Sequence, residues 1–599
     1  MGGEIPSTEG DRHLGEGSPS GLGKVEDADN SKNPTTSRRS GPRLGLHTKS
    51  PSFQEDGVSE RTCDFLCIGG GLGGLAGAIK AHDSGLETLI VERSDLLGGV
   101  AAYSGGVVWV PRNHLQTAAG FPDGRGEAER YMSFLTPEGV QADSELRAAF
   151  LEAAPRVTEY FHREADIAFE VVQRPDQYHP APGSLGGGRT LEVTVSGADL
   201  GEWQSRCRPN PHFKIGLTNS EVLVNGGPTQ AYQRLAKLYA ERVGEDFRTH
   251  GPGLASAFVK GAVVDRSVPV LLNARAVRLT QENGAVTGAV VEIEGRTLEI
   301  RARRGVLLAT GSYGSASWAA RTEGLPDLVE ASPPVIDGDG LSLADPTPAA
   351  VIRAGEAITL VAFHSPGETH PGTDTPLYRE VIAAMGYPHS IVVNSEGRRF
   401  ADESFYGRFF TAVKAFNSHT KKFLHYPCYL IVDDRFRRQY SLGPFEPGDD
   451  WPHSFPHADD LRDLAAQVGI DGDGLDDEVS RFNKGATAGV DPDFGRGEVG
   501  FVNLAMGDPT YLNPNLGTIA EPPFWGIPLR LMGLGIYSMG LAIDGSGRVL
   551  TRGDEPVPGL YATGNAVAYT EMCGGYQGGF ANARNITYAH NAAADAAQR

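Results

Sequence analysis

Residues 63–92 read Cys-Asp-Phe-Leu-Cys-Ile-Gly-Gly-Gly-Leu-Gly-Gly-Leu-Ala-Gly-Ala-Ile-Lys-Ala-His-Asp-Ser-Gly-Leu-Glu-Thr-Leu-Ile-Val-Glu. Cys63 to Ile68 is a short apolar run with one acidic interruption. A glycine turn and a small-residue helix follow, then the apolar run Thr88-Leu89-Ile90-Val91 ends at Glu92. This order is strand, turn, helix, strand. Gly69, Gly71 and Gly74 stand in G-x-G-x-x-G spacing, with Gly73 between the last two. In such a unit the first glycine permits the tight turn, the second lets backbone N–H groups approach a pyrophosphate, and the third lets helix and strand pack closely. The helix N-terminus adds partial positive charge. Glu92 is placed to bond ribose hydroxyls. A glycine fingerprint alone is weak, because glycine-rich turns are common. The flanking strands and the acid at the right distance make it a specific dinucleotide signal.

Further glycine pairs follow the acid. Arg93 comes next, then Gly98-Gly99 and Ser104-Gly105-Gly106. A chain that returns so often to small residues stays close to a long ligand. At these motifs the sequence resembles the flavoprotein family of fumarate reductases and 3-ketosteroid dehydrogenases, and the resemblance continues along nearly the whole chain beyond residue 60. Trp109-Val110-Pro111-Arg112-Asn113, Gly338-Asp339-Gly340, Arg398-Arg399-Phe400-x-x-Glu403-Ser404 and Asp491-x-x-Phe494-Gly495-Arg496-Gly497 occur in the family's order. Asn273 to Val277 resembles the strand whose backbone meets the adenine. Arg304 to Thr310-Gly311 resembles a second glycine approach to FAD, and Gly559 to Gly564-Asn565 a return toward the flavin. The resemblance implies bound FAD. It also implies non-covalent attachment, since Val100-Ala101-Ala102-Tyr103 has no histidine before the Ser104 turn.

The implied fold is α/β: a Rossmann-like FAD-binding domain over 61–345 and 521–599, with an inserted α+β cap (catalytic) domain over 346–520. Residues 1–60 mix Gly, Ser, Pro and charges with few large apolar side chains, which predicts a disordered tail. Arg38-Arg39 lacks the apolar stretch of an export signal, so the expected location is cytoplasmic. No run approaches the length of a membrane-spanning helix. The 599 residues carry 54 Lys+Arg against 75 Asp+Glu, a formal charge of -21. That balance argues against a nucleic-acid partner. Five cysteines in such a chain are no disulfide framework, and Cys63 and Cys67 read as small buried residues. The histidines, His364, His389 and His425 among them, have no metal spacing, so no metal is expected.

The resemblance also implies chemistry: hydride transfer to flavin N5 from a carbon beside a ketone-activated position. Tyrosines suit that task in an apolar pocket, because a neutral phenol is cheaper to bury than a charge. Tyr406 resembles the base that takes the α-proton, Tyr178 a residue that tunes it, and Tyr576 the donor to the carbonyl oxygen. A backbone N–H near Gly578 or Gly579 would complete the oxyanion site. Tyr537 or Ser538, in a segment that departs from the family's pattern, is a candidate to reach the substrate. The expected substrate is a small apolar, cyclic, steroid-like ketone. The electron acceptor, whether quinone, dye or oxygen, stays open. The alternative is an ene-reductase of the fumarate or urocanate type, in which Arg399, Arg408 and Arg584 would clamp an unsaturated carboxylate.

Overall fold

A computed structural model describes residues 59–599. The expected tail, apart from Ser59 and Glu60, lies outside the described residues, and so does Arg38-Arg39. The apolar run becomes the strand Ser59–Ile68, in the middle of a parallel array. The array runs Pro556–Ala562, Arg296–Leu308, Ser59–Ile68, Thr88–Val91, Val270–Leu271. Strands covered on both faces read as continuous apolar runs rather than as alternation. Phe65 to Ile68, Leu89 to Val91 and Val306 to Leu308 are accordingly all buried. Arg296–Leu308 extends beyond the array and pairs antiparallel with Ala285–Ile293, which pairs in turn with Ala274–Glu282. All five cysteines are free and buried, and burial pushes the Cys63 thiol up to about 12.

The helix Leu72–Asp83 leaves the glycine turn and packs against the last helix, Phe580–Gln598. Small residues set their approach: Gly77 faces Leu307 and Ala589. The far end of the chain therefore closes the domain that its first strands begin.

A second, mostly antiparallel sheet is ordered Pro376–Glu380, Thr359–Thr369, Phe524–Gly533, Cys428–Val432, Ser390–Asn394. The expected return to the nucleotide domain at residue 521 needs correction. Phe524–Gly533 pairs with Thr359–Thr369 and Cys428–Val432, so it is the central strand of the second sheet. Its run of apolar residues allowed either placement, and cross-strand pairing decides it. The largest hydrophobic core is continuous between the two sheets and includes Leu360, Ala362, Tyr406 and Phe410. Among the described residues no helix is long and apolar enough to cross a membrane.

Two of the quoted motifs meet in one buried ion network. Arg399 pairs with Glu403 and Asp491, both at 2.9 Å, and Arg496 pairs with Glu403 at 2.6 Å. Burial alone would raise the Asp491 carboxyl; the hydrogen bonds and charge of Arg399 hold it below its usual value. Removing one member of such a network strands a buried charge. The network anchors the loop that delivers Tyr406 to the first position of the helix Tyr406–Val413.

Candidate active site

The first crevice lies over the glycine turn. Gly69, Gly71, Glu92, Arg93, Gly99, Thr310 and Gly311 line it, as the sequence reading expects of a cofactor site. Gly69 has φ +112°, and a Cβ there would stand 2.3 Å from the Ala309 carbonyl oxygen. A Cβ on Gly74 would stand 1.8 Å from the Gly69 oxygen. Gly98 donates its N–H to the Gly70 oxygen at 2.9 Å, so the second glycine pair lies directly on the first turn. Gly73 abuts Asn585 and Thr563. The Glu92 carboxylate accepts from the Gly70 N–H at 2.7 Å and from the Ser94 N–H and hydroxyl, both at 2.8 Å. It therefore braces the turn while lining the crevice. Arg93 pairs with Asp337 and Asp339, and Arg275 also pairs with Asp339.

Val277 requires a correction. Its side chain is 40% exposed, and Ala274 and Ala276 line the crevice instead. The strand register skips Val277 between Ala276 and Arg278, a bulge. Two polar groups of the crevice, the Thr310 hydroxyl and the Arg208 Nε, are buried without a partner among the described residues. Backbone kept bare by glycine, an orphan guanidinium N–H and an orphan hydroxyl fit a dinucleotide pyrophosphate.

The second cavity, of about 330 Å³, is lined by Leu360 and Glu380 of the second sheet and by Ala581, Asn582 and Asn585 of the last helix. Ser104, Gly105, Gly106, Asn565 and Gly579 line it. Gly564 is not on its wall but packs on Asn585, which is. Tyr406 and Tyr576 enter the same cavity with ring centroids 5.9 Å apart and planes at 70°. Burial pushes the Tyr406 hydroxyl well above the usual phenol range, and it raises Tyr576 too; the positive charge of Arg174 works against both shifts. Gly579 caps the last helix with φ +95°. Its N–H has no acceptor among the described residues, whereas the Gly578 N–H already donates to Gln177.

Tyr178 is not among the lining residues. Its ring packs edge-on against Phe405, at 4.8 Å, and its hydroxyl lies against Gly407. The preceding side chain, Gln177, occupies the cavity. Its Nε2 donates to the Tyr406 hydroxyl and its Oε1 accepts from the Gly578 N–H at 3.0 Å. Residues 172–189 contain no helix or strand, so sequence periodicity cannot say which of two neighbours turns inward. Tyr537 and Ser538 also point elsewhere, toward Glu330 and Glu323, while Leu534 and Ile536 line the cavity. The three arginines of the alternative reading do not converge. Arg399 is held in the network above, Arg584 pairs with Glu571 at 3.0 Å, and Arg408 pairs with Asp402 at 3.2 Å. The arginine that does reach the cavity is Arg174, which the sequence reading overlooked. Among the described residues no cluster of ligating side chains could hold a metal ion.

A family model described as an FAD binding domain matches residues 64–583. The chain belongs to this family. The flavoprotein is 31% identical over 553 residues to 4-oxocyclohex-2-ene-1-carboxylate 5-dehydrogenase of Sinomonas cyclohexanicum, covering 86% of this chain and 90% of that one. It is 29% identical to 3-oxosteroid 1-dehydrogenase of Mycobacterium tuberculosis, over 84% of this chain and 93% of the relative. Among solved structures, 3-ketosteroid delta1-dehydrogenase of Sterolibacterium denitrificans, in complex with 1,4-androstadiene-3,17-dione, matches with a TM-score of 0.80 and 30% identity, over 90% of this chain and 100% of that one. A flavocytochrome c3 fumarate reductase, at a TM-score of 0.58 and 19% identity, shares the fold. The flavoprotein is an FAD-dependent dehydrogenase acting on CH–CH bonds, of the 3-ketosteroid dehydrogenase family.

Proposed function

We propose that this dehydrogenase introduces a C=C bond α,β to the ketone of a cyclic, steroid-like substrate. One observation carries the reading: Tyr406, Tyr576 and Gly579 share a cavity with Ser104, Gly105, Gly106 and Asn565. The ketone oxygen takes hydrogen bonds from the Tyr576 hydroxyl and the Gly579 N–H, which stabilise negative charge as the α-proton leaves. The Tyr406 oxygen receives that proton. Gln177 holds it in place by donating to it, and a donor to the ionised form favours that form. Bound FAD, held without a covalent link, supplies the hydride acceptor. The second sheet and its helices act as the cap that closes the cavity from water.

The experiment is anaerobic reduction of the purified holoenzyme. A saturated cyclic ketone is expected to bleach the visible flavin band, and succinate is not. If no ketone bleaches it while an unsaturated acid reoxidises the dithionite-reduced enzyme, the reading is wrong.

A further inference from the structure

Arginine in a protein interior keeps its charge, so a buried guanidinium needs an anion. Five of the buried arginines have one within the chain. Arg189 pairs with Asp123 and Asp176, Arg248 with Asp246, Arg399 with Glu403 and Asp491, Arg496 with Glu403, and Arg584 with Glu571. Two buried arginines, Arg208 and Arg174, have no carboxylate partner among the described residues, and each lines one of the two ligand cavities. Arg208 faces the crevice whose ligand carries a pyrophosphate. Arg174 faces the other.

Arg174 is only 9% exposed. Its Nε donates to the Thr190 hydroxyl at 3.3 Å, and its guanidinium lies 5.5 Å from the Phe501 ring centre. Neither Nη1 nor Nη2 has a hydrogen-bond partner among the described residues, and Nη2 is fully buried. The neighbouring acids are engaged elsewhere. Asp176 holds Arg189 and the Trp109 indole, each at 2.8 Å. Glu192 accepts from the backbone N–H of Asn219 and the Ser220 hydroxyl. Glu380 is the one carboxyl on the cavity wall; it accepts from the Ile382 N–H and forms no ion pair with Arg174.

We propose that the substrate brings the missing anion: the cavity takes a cyclic ketone that bears a carboxylate, and the carboxylate docks on Arg174 through Nη1, the terminal nitrogen that is not fully buried. A guanidinium N–H is a charge-assisted donor to a carboxylate. The apolar lining from Leu360, Ile382, Phe501, Leu534 and Ile536 receives the ring. This rests on the reading of the cavity as the ketone site.

The test compares 4-oxocyclohexanecarboxylate with its neutral methyl ester on the holoenzyme and on Arg174→Met and Arg174→Lys. The native enzyme should favour the acid. Arg174→Met should cut kcat/KM for the acid about 100-fold, chiefly through KM, and leave the ester within about threefold. Arg174→Lys should recover part of the loss. Equal losses for acid and ester, seated in kcat, would mean that Arg174 acts on the reacting carbonyl instead and would overturn the proposal. A second measurement is independent of turnover. Cyclohexanecarboxylate, which has no ketone, should perturb the flavin spectrum of the native holoenzyme at lower concentration than cyclohexanecarboxamide does. Equal or absent perturbation by the two refutes the anion site, even where Arg174→Met does not fold. A perturbation by the acid with no bleaching by any ketone would retain the anion site and discard the dehydrogenation reading.

Discussion

Replacing Gln177 with leucine removes two hydrogen bonds in one step, from Nε2 to the Tyr406 hydroxyl and from the Gly578 N–H to Oε1. The first is the one that bears on chemistry. A hydrogen bond to a charged acceptor contributes about 1.5–3 kcal/mol, which corresponds to about 1–2 pH units at about 1.36 kcal/mol each. Burial already holds the Tyr406 hydroxyl above the usual phenol range. Losing a donor to the phenolate raises it further, so the acidic limb of the kcat/KM profile should move up by about 1–2 units. Below that limb the rate should fall about 10–100-fold. Flavin content should not change, because Gln177 is absent from the crevice over the glycine turn. Gln177→Glu is the sharper control. It puts an acceptor where the donor stood, favours the neutral phenol, and should depress the rate at least as far. The assay is kcat/KM against pH with a saturated cyclic ketone and a dye as acceptor, alongside the rate of flavin reduction in single turnover. Native rates and an unmoved limb in both variants would refute the assignment of Tyr406 as the proton acceptor held by Gln177.

Tyr576→Phe should keep its FAD and lose about 100-fold in kcat, the usual effect of deleting one oxyanion donor, near 3 kcal/mol; unchanged turnover would remove Tyr576 from the mechanism. Gly74→Ala places a methyl group on the Gly69 carbonyl, 1.8 Å away, so the purified protein should show a flavin-to-protein absorbance ratio near that of apoprotein. Burial pushes His212, His250, His370 and His590 down to about 4, from an ordinary value of 6.5. The unfolded chain then binds more protons between those values, so the thermal midpoint should fall as pH drops from 6.5 toward 4, and His590→Gln should flatten part of that fall. A midpoint that stays level over the window would contradict it.

The nucleotide half of the molecule was legible because its constraints are local. A turn with no room for a Cβ at Gly69 or Gly74 must be written as glycine, and strands covered on both faces must be written as apolar runs. The second cavity was legible only where a side chain stands beside a motif, as Tyr406 and Tyr576 do. Tyr178 lies in an irregular loop, one residue from the side chain that faces the cavity, so periodicity could not place it. Arg174 was invisible for a different reason. An arginine in sequence does not announce that it lacks a partner; that becomes apparent only when every nearby carboxylate is found bonded to something else. The same logic explains the arginines of the alternative reading. Arg399 and Arg584 are neutralised by Glu403, Asp491 and Glu571; Glu403 stands four residues after Arg399, but only the fold brings Asp491 to Arg399 and Glu571 to Arg584.

The contact of Gly73 with Asn585 and Thr563 has a consequence for how the protein is made. The glycine turn is synthesised well before the residues that close over it. About 500 residues of synthesis separate them, roughly 25–100 s at about 5–20 residues per second. During that interval Arg296–Leu308 lacks Pro556–Ala562 at its edge, and Leu72–Asp83 lacks Phe580–Gln598 against it. The nascent chain therefore carries uncovered apolar surface until those elements are made, whereas every residue lining the crevice over the glycine turn, from Ile68 to Leu343, is made before them. The second cavity, which needs Asn565, Tyr576 and Gly579, is completed only by the last of them.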